Sequence, residues 1–150
     1  MSLDDLEKRI QTLEDLEEIK KLHRDYIFLL TDKQYEKMID FFSSDAKVRI
    51  NSPDVCTGTG EIRKHFMEVI AGRGAPKGGQ ILVQPVITVD GDKAKGYWTM
   101  YRFFGDFKAP DVPACNYMQG RYDCEYKKIG GKWKFSSMTY LPWPEPEETP

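Results

Sequence analysis

The second half of the chain is punctuated by two tight turn signals, Asp90-Gly91-Asp92 and Gly130-Gly131, set between long runs rich in aromatic and β-branched residues. Such pairs favour the short hairpin connections whose backbone follows the natural twist of the flanking strands. They predict strands over Gln80 to Val89, Ala94 to Phe107, Cys115 to Lys128 and Lys132 to Leu141, with the Pro-containing stretch Lys108 to Pro113 as a loop. Strands of this length twist and curl. A curled sheet has a concave face that another part of the chain must cover.

The first half supplies the cover. Leu3, Leu6, Ile10 and Leu13 follow heptad spacing, and Leu16, Ile19, Leu22, Tyr26 and Leu29 continue an apolar face with a shifted phase, which predicts a helix over residues 4–30. The shift assigns the first turns to a second subunit, or to a frayed start, and the later turns to the domain's own core. Thr31-Asp32-Lys33 breaks the pattern. Tyr35, Met38, Phe41 and Phe42 predict a short helix ended by Ser43-Ser44, and Ala46 to Asn51 a strand. Ser52-Pro53-Asp54 is a turn signal, Val55 and Cys56 a short return strand, and Thr59 a cap for a third helix, Gly60 to Ala71. The loop GRGAPKGG that follows reads as a connector or a lid. Helices followed by antiparallel strands make an α+β domain, here a cone-shaped barrel with an open mouth and a ligand-sized interior. It is expected over residues 1–142, with 143–150 a loosely held Pro- and Glu-rich tail.

Composition removes several function classes. The formal net charge is -2, with no basic stripe, so no nucleic acid is expected as a partner. No run is apolar enough to span a membrane, and MSLDDLEKRI is too acidic for a secretory leader. Three cysteines (Cys56, Cys115 and Cys124), an odd number without framework spacing, point to reducing cytoplasm. Only His23 and His65 are present, without Cys-x-x-Cys or His-x-x-x-His spacing, so no metal is expected.

The stretches LEEIKKLHRDYIFLL, YEKMIDFFSSDAKV, TGTGEIRKHF and RYDCEYKKIGGKWKFSSMTY, in that order and spacing, resemble the SnoaL-like branch of the nuclear-transport-factor-like superfamily. Within it the chain looks closest to the group of bile-acid 7α-dehydratase, scytalone dehydratase and hexachlorocyclohexane dehydrochlorinase. The resemblance implies a lyase without cofactor that removes a proton and a leaving group from a cyclic substrate. That chemistry uses an Asp at the end of the first helix, a His on the sheet and a helix Tyr. Tyr26 matches the Tyr; the Asp position falls on Thr31, with Asp32 its neighbour; the sheet His falls on Gln80; and a second acidic position falls on Arg102. Glutamine is no general base at neutral pH, so the His–Asp pair of this group is not carried over intact.

The candidates therefore divide by role. Tyr26 is an acid or oxyanion donor, or else a core tyrosine. Asp32 is a base, or a cap between two helices. His23, one turn before Tyr26, is a relocated base or a boundary residue among charged neighbours; His65 is a lining residue or a surface histidine. Arg102 shares a face with Trp98, Met100 and Phe104, where it grips a ligand carboxylate or carbonyl, or forms a salt bridge to an internal acid such as Asp123. Gln80, Trp98, Asn116, Tyr117 and Tyr140 complete the ligand-binding candidates. Three functions stand side by side: a cofactor-independent lyase or isomerase acting on a small cyclic or polyketide-like molecule, a non-catalytic protein that binds such a ligand, and a structural or oligomeric accessory domain with a filled cone. A homodimer or homotrimer is expected in all three, to cover the N-terminal heptads and the aromatic outer sheet face.

Overall fold

A computed structural model describes residues 1–73, 79–104 and 116–143. Helix α1 (Leu3–Thr31) is followed by α2 (Tyr35–Ile39), strand β1 (Phe42–Arg49), the short β2 (Cys56–Thr57) and α3 (Gly58–Lys64), which continues as a π-helical turn over His65–Ile70. Strands β3 (Gln80–Asp90), β4 (Lys93–Phe104), β5 (Asn116–Ile129) and β6 (Lys132–Trp143) complete one six-stranded sheet in the order β2-β1-β6-β5-β4-β3. The expected sheet was antiparallel throughout, but β1 runs parallel to β6, because the chain crosses from the helical half to pair with its last strand. Phe41 and Phe42 also leave the expected second helix: β1 begins at Phe42, where the Phe135 amide donates to the Phe41 carbonyl at 2.8 Å. The GRGAPKGG loop from Gly74 to Gly78, Cys115 and the tail 144–150 lie outside the described residues.

Both predicted hairpins form. Gly130 and Gly131 have φ of 56° and 77°, the left-handed pair that a tight two-residue connection requires. Two bulges set which side chains enter the cone. In β3 the register shifts between Val83 and Val86, with Gln84 at a positive φ of 52° and Pro85, which has no amide to donate, accommodated in the irregularity. In β6 the partners jump from Phe135 to Ser137, so Trp133 and Phe135, then Met138 and Tyr140, all face inward.

Helix α1 crosses the concave face, and its inner side chains are Asp15, Ile19, His23, Tyr26 and Ile27. Asp15 fixes the crossing: its Oδ1 accepts from Lys128 Nζ at 2.7 Å and from Trp133 Nε1 at 2.9 Å. Burial pushes the Asp15 carboxyl up, but these hydrogen bonds and the Lys128 charge outweigh it and hold the group below the usual range. Before Asp15 the helix stands clear of the domain: Leu3 and Leu13 are 77% and 63% exposed.

Two stability predictions follow from α1. Asp15→Ala leaves the Trp133 indole and the Lys128 ammonium without their acceptor, and is expected to cost about 1–3 kcal/mol in urea unfolding near pH 7. With its pKa depressed in the folded state, the Asp15 contribution is present above the unfolded value of 3.8 and is lost as pH falls below it. Deleting residues 2–10, none of which is buried in the single chain, is expected to change its unfolding stability by less than about 0.5 kcal/mol when read at protein concentrations too low for self-association.

Candidate functional site

The inner face of the sheet is read directly from the ladder. Gln80 and Leu82 of β3 pair with Arg102 and Met100 of β4, and Trp98 of β4 pairs with Tyr122 of β5, which pairs with Tyr140 of β6. Helix α1 presses His23 and Tyr26 against this surface. Both are fully buried, which corrects the expectation of His23 as a boundary residue: the inward face of α1, not the charges at Lys21 and Arg24, decides its environment. The His23 ring lies 4.8 Å from Trp98, 5.0 Å from Tyr122 and 5.8 Å from Tyr26, centroid to centroid.

Hydrogen bonding assigns the protons. Trp98 Nε1 donates to Tyr126 Oη at 3.0 Å, and Tyr126 Oη lies 3.3 Å from His23 Nδ1. Indole nitrogen is only a donor, so it occupies a lone pair of the tyrosine oxygen. Where the Tyr126 proton goes to His23 Nδ1 rather than to the neighbouring Cys124 sulfur, the imidazole proton lies on Nε2. That Nε2 is buried and has no protein partner, and the buried Tyr26 hydroxyl has the Tyr122 hydroxyl as a neighbour, beyond normal hydrogen-bond distance. Buried polar atoms without partners are rare and mark water or ligand sites. Burial holds the His23 imidazole neutral, its pKa lowered to about 3. Burial, and next the Tyr122 phenol, hold Tyr26 protonated far above the ordinary phenol range. In the Nε2–H tautomer the inner wall offers two neutral donors in a dry setting, the arrangement that binds a carbonyl oxygen or the negative charge developing on it.

The other candidates sort by strand parity and helix phase. Tyr140 and Gln80 join the inner wall; the Tyr122 hydroxyl donates to Gln80 Oε1 at 3.5 Å. Arg102 lies on the same face, and its Nε is buried without a partner. The expected salt bridge to Asp123 does not form, because Asp123 is on the opposite parity of β5 and pairs with Arg121 at 2.6 Å. Tyr117 is also on the outer face, 67% exposed and next to Phe103. Of Asn116 only the backbone, paired with Phe104, falls within the described residues. Helix α1 stays regular to Thr31 and ends with Lys33 at φ 58°, so no bulge turns Asp32 inward; Thr31 and Asp32 both face solvent, and Asp32 is the C-cap. His65 is buried rather than at the surface, because it follows the buried Ile62 by three residues and so shares the inward face of the helix with Phe66. It donates from Nε2 to the Ile50 carbonyl at 2.8 Å, tying α3 to the end of β1. Neither imidazole is hydrogen-bonded to a carboxylate.

Tyr122 and Tyr126 were missed among the candidates. Their signal was the strict alternation of Gly120, Tyr122, Cys124 and Tyr126 with Arg121, Asp123, Glu125 and Lys127. Among the described residues no group of three or more His, Cys, Asp or Glu side chains is placed to hold a metal. No helix among them is long and apolar enough to cross a membrane.

The His23 environment has a measurable consequence. Its pKa is about 3 when folded against 6.5 for an ordinary histidine, so between these the unfolded chain binds the extra proton and acid favours unfolding. Stability is expected to fall by roughly 2–3 kcal/mol between about pH 7 and about pH 4.5 from this group alone. In His23→Gln that slope is expected to flatten, as read by urea unfolding at the two pH values.

Comparison with known proteins places this geometry in a family. A SnoaL-like domain model matches residues 11–139. No curated protein matches the sequence. Among solved structures, an NTF2-like protein with a cystatin-like fold from Novosphingobium aromaticivorans superposes with a TM-score of 0.77 at 18% identity, covering 95% of this chain and 91% of that one. The hexachlorocyclohexane dehydrochlorinase LinA-type3 from Novosphingobium barchaimii superposes with a TM-score of 0.75 at 16% identity, covering 90% of each chain. A cystatin-like protein of unknown function from Nostoc punctiforme gives 0.74 at 19% identity, covering 88% of this chain and 94% of that one. At these identities the structures share the fold, and the match over most of its length shows that the chain belongs to the SnoaL-like domain family.

Proposed function

We propose that the protein is a cofactor-independent lyase or isomerase whose cone holds a small cyclic carbonyl compound. The observation that carries this reading is the pair of fully buried, unpartnered donors, Tyr26 Oη and His23 Nε2, on one inner wall. Elimination or isomerisation next to a carbonyl passes through an enolate. In the elimination a solvent molecule takes the α-proton, and the β-hydroxyl leaves as water with a proton returned to it. Fixed donors in a dry site stabilise the enolate charge more than the ground-state carbonyl. Tyr26 is the direct donor. His23 is the second, with Tyr126 and Trp98 behind it as a relay that holds its tautomer. The dehydrochlorinase among the structural neighbours supports the reaction class. A second reading, ligand binding without turnover, is favoured by one observation: neither imidazole is paired with a carboxylate, and Asp32 lies outside the cone.

Dehydration of 3-hydroxycyclohexanone, followed by the ultraviolet absorbance of the enone, separates the two. A lyase is expected to give turnover that drops about 100-fold or more in Tyr26→Phe. Thermal stabilisation by the ketone without turnover would instead leave the binding reading.

Self-association belongs to the same proposal. Arg9 and Glu14 flank the exposed Leu6, Ile10 and Leu13 stripe at positions that meet across a parallel pair of helices. Sedimentation is expected to show a dimer or trimer at micromolar protein, weakened in Ile10→Glu; a monomer contradicts it.

A further inference from the structure

The donors at Tyr26 and His23 are not the only unpaired polar chemistry inside the cone. At its mouth, where β3 and β5 begin and β4 and β6 end, Arg102 sits between Gln80 and Met118 in the ladder, on the face of Trp98 and Met100. A half-buried guanidinium ordinarily has a carboxylate beside it. Here Nε is buried without a partner, and no described acid forms an ion pair with Arg102. Its surroundings add further donors. Gln80 takes the Tyr122 hydroxyl on its Oε1 at 3.5 Å, which leaves the amide NH2 uncommitted. The Tyr140 hydroxyl lies 3.4 Å from the Met118 sulfur, a weak acceptor that a ligand oxygen would displace. Burial raises the pKa of both Tyr122 and Tyr140, and the nearby Arg102 charge acts in the other direction on each. A cation ringed by neutral donors, with no acid among the described residues to balance it, is complementary to an added anion. The planar fork of arginine fits a carboxylate.

We infer that Arg102, Gln80 and Tyr140 form a carboxylate subsite at the mouth of the cone, so that the natural ligand is a cyclic oxo acid. Its ring and carbonyl oxygen reach Trp98, Met100, Tyr26 and His23 only as these side chains part, since none of the four is more than 3% exposed. Tyr122 stands between the two ends, its ring 6.2 Å from that of Tyr26 and 5.2 Å from that of Tyr140. The carbonyl end rests on the function proposed above; the carboxylate end does not.

The test is calorimetric titration with 3-oxocyclohexanecarboxylate and with its methyl ester, at about pH 7 and low salt. The wild-type protein is expected to bind the acid at least ~10-fold more tightly than the ester. Arg102→Gln is expected to erase that preference while holding the ester affinity within about 2-fold, and Arg102→Lys to keep part of it. Equal affinity for acid and ester in the wild-type protein, which needs no variant to fold, overturns the subsite. So does a preference that survives Arg102→Gln, or failure of both probes to bind. Tyr26→Phe separates the two proposals. If it weakens both probes but no acid preference exists, the carbonyl site stands and the subsite falls. If the preference is intact and Tyr26→Phe changes neither affinity, the subsite stands and the proposed function falls.

Discussion

Helix α1 is held across the concave face of the sheet by two polar contacts about two helical turns apart. Asp15 accepts from Lys128 and Trp133 at the closed end, and His23 meets the Tyr126 hydroxyl that Trp98 already contacts. Apolar packing alone would bury the helix without fixing its rotation. Hydrogen bonds at two points fix both rotation and depth, because displacing either leaves buried donors or acceptors unmet. Everything proposed for the interior depends on that rotation. It points Tyr26 and the far side of the His23 ring into the cone and leaves Asp32 in solvent.

Burial then determines the chemistry. With no carboxylate hydrogen-bonded to it, His23 stays neutral, and the tyrosines around it keep their protons. A site of neutral donors differs from the His–Asp base implied by the family resemblance. It offers stabilisation of charge on a ligand oxygen, with Arg102 at the mouth a full charge that, unlike Lys128 beside Asp15, has no described carboxylate paired with it. Gly120 contributes by omission: a Cβ there would collide with the Tyr140 ring, so the glycine allows that phenol to lie across the sheet near Arg102.

The fold was legible because its determinants are periodic and local. The heptad and its phase shift in α1, the Asp-Gly and Gly-Gly turns and the alternation along β5 each name one element. The site was legible only in part. Tyr26, Gln80, Trp98, Arg102 and Tyr140 reach the interior as expected. Tyr117 does not, since no sequence signal fixed the parity of β5 at its start. Asp32 was tied to the site by resemblance, and a regular helix end removes it. His65 went inward because it shares the helical face of Ile62 and Phe66, a spacing present in the sequence but outweighed there by the polar character of the residue. The parallel pairing of β1 with β6 joins segments about ninety residues apart in sequence, beyond any local pattern.

The central claim is that His23 is a neutral, Nε2-protonated donor enclosed in the cone. Two-bond proton–nitrogen correlation spectra of protein labelled with nitrogen-15 at histidine read tautomer and charge together. The account predicts that His23 stays in the neutral Nε2–H form from about pH 7 down to about pH 5. A His23 that titrates near 6.5, or that carries its proton on Nδ1, would contradict it.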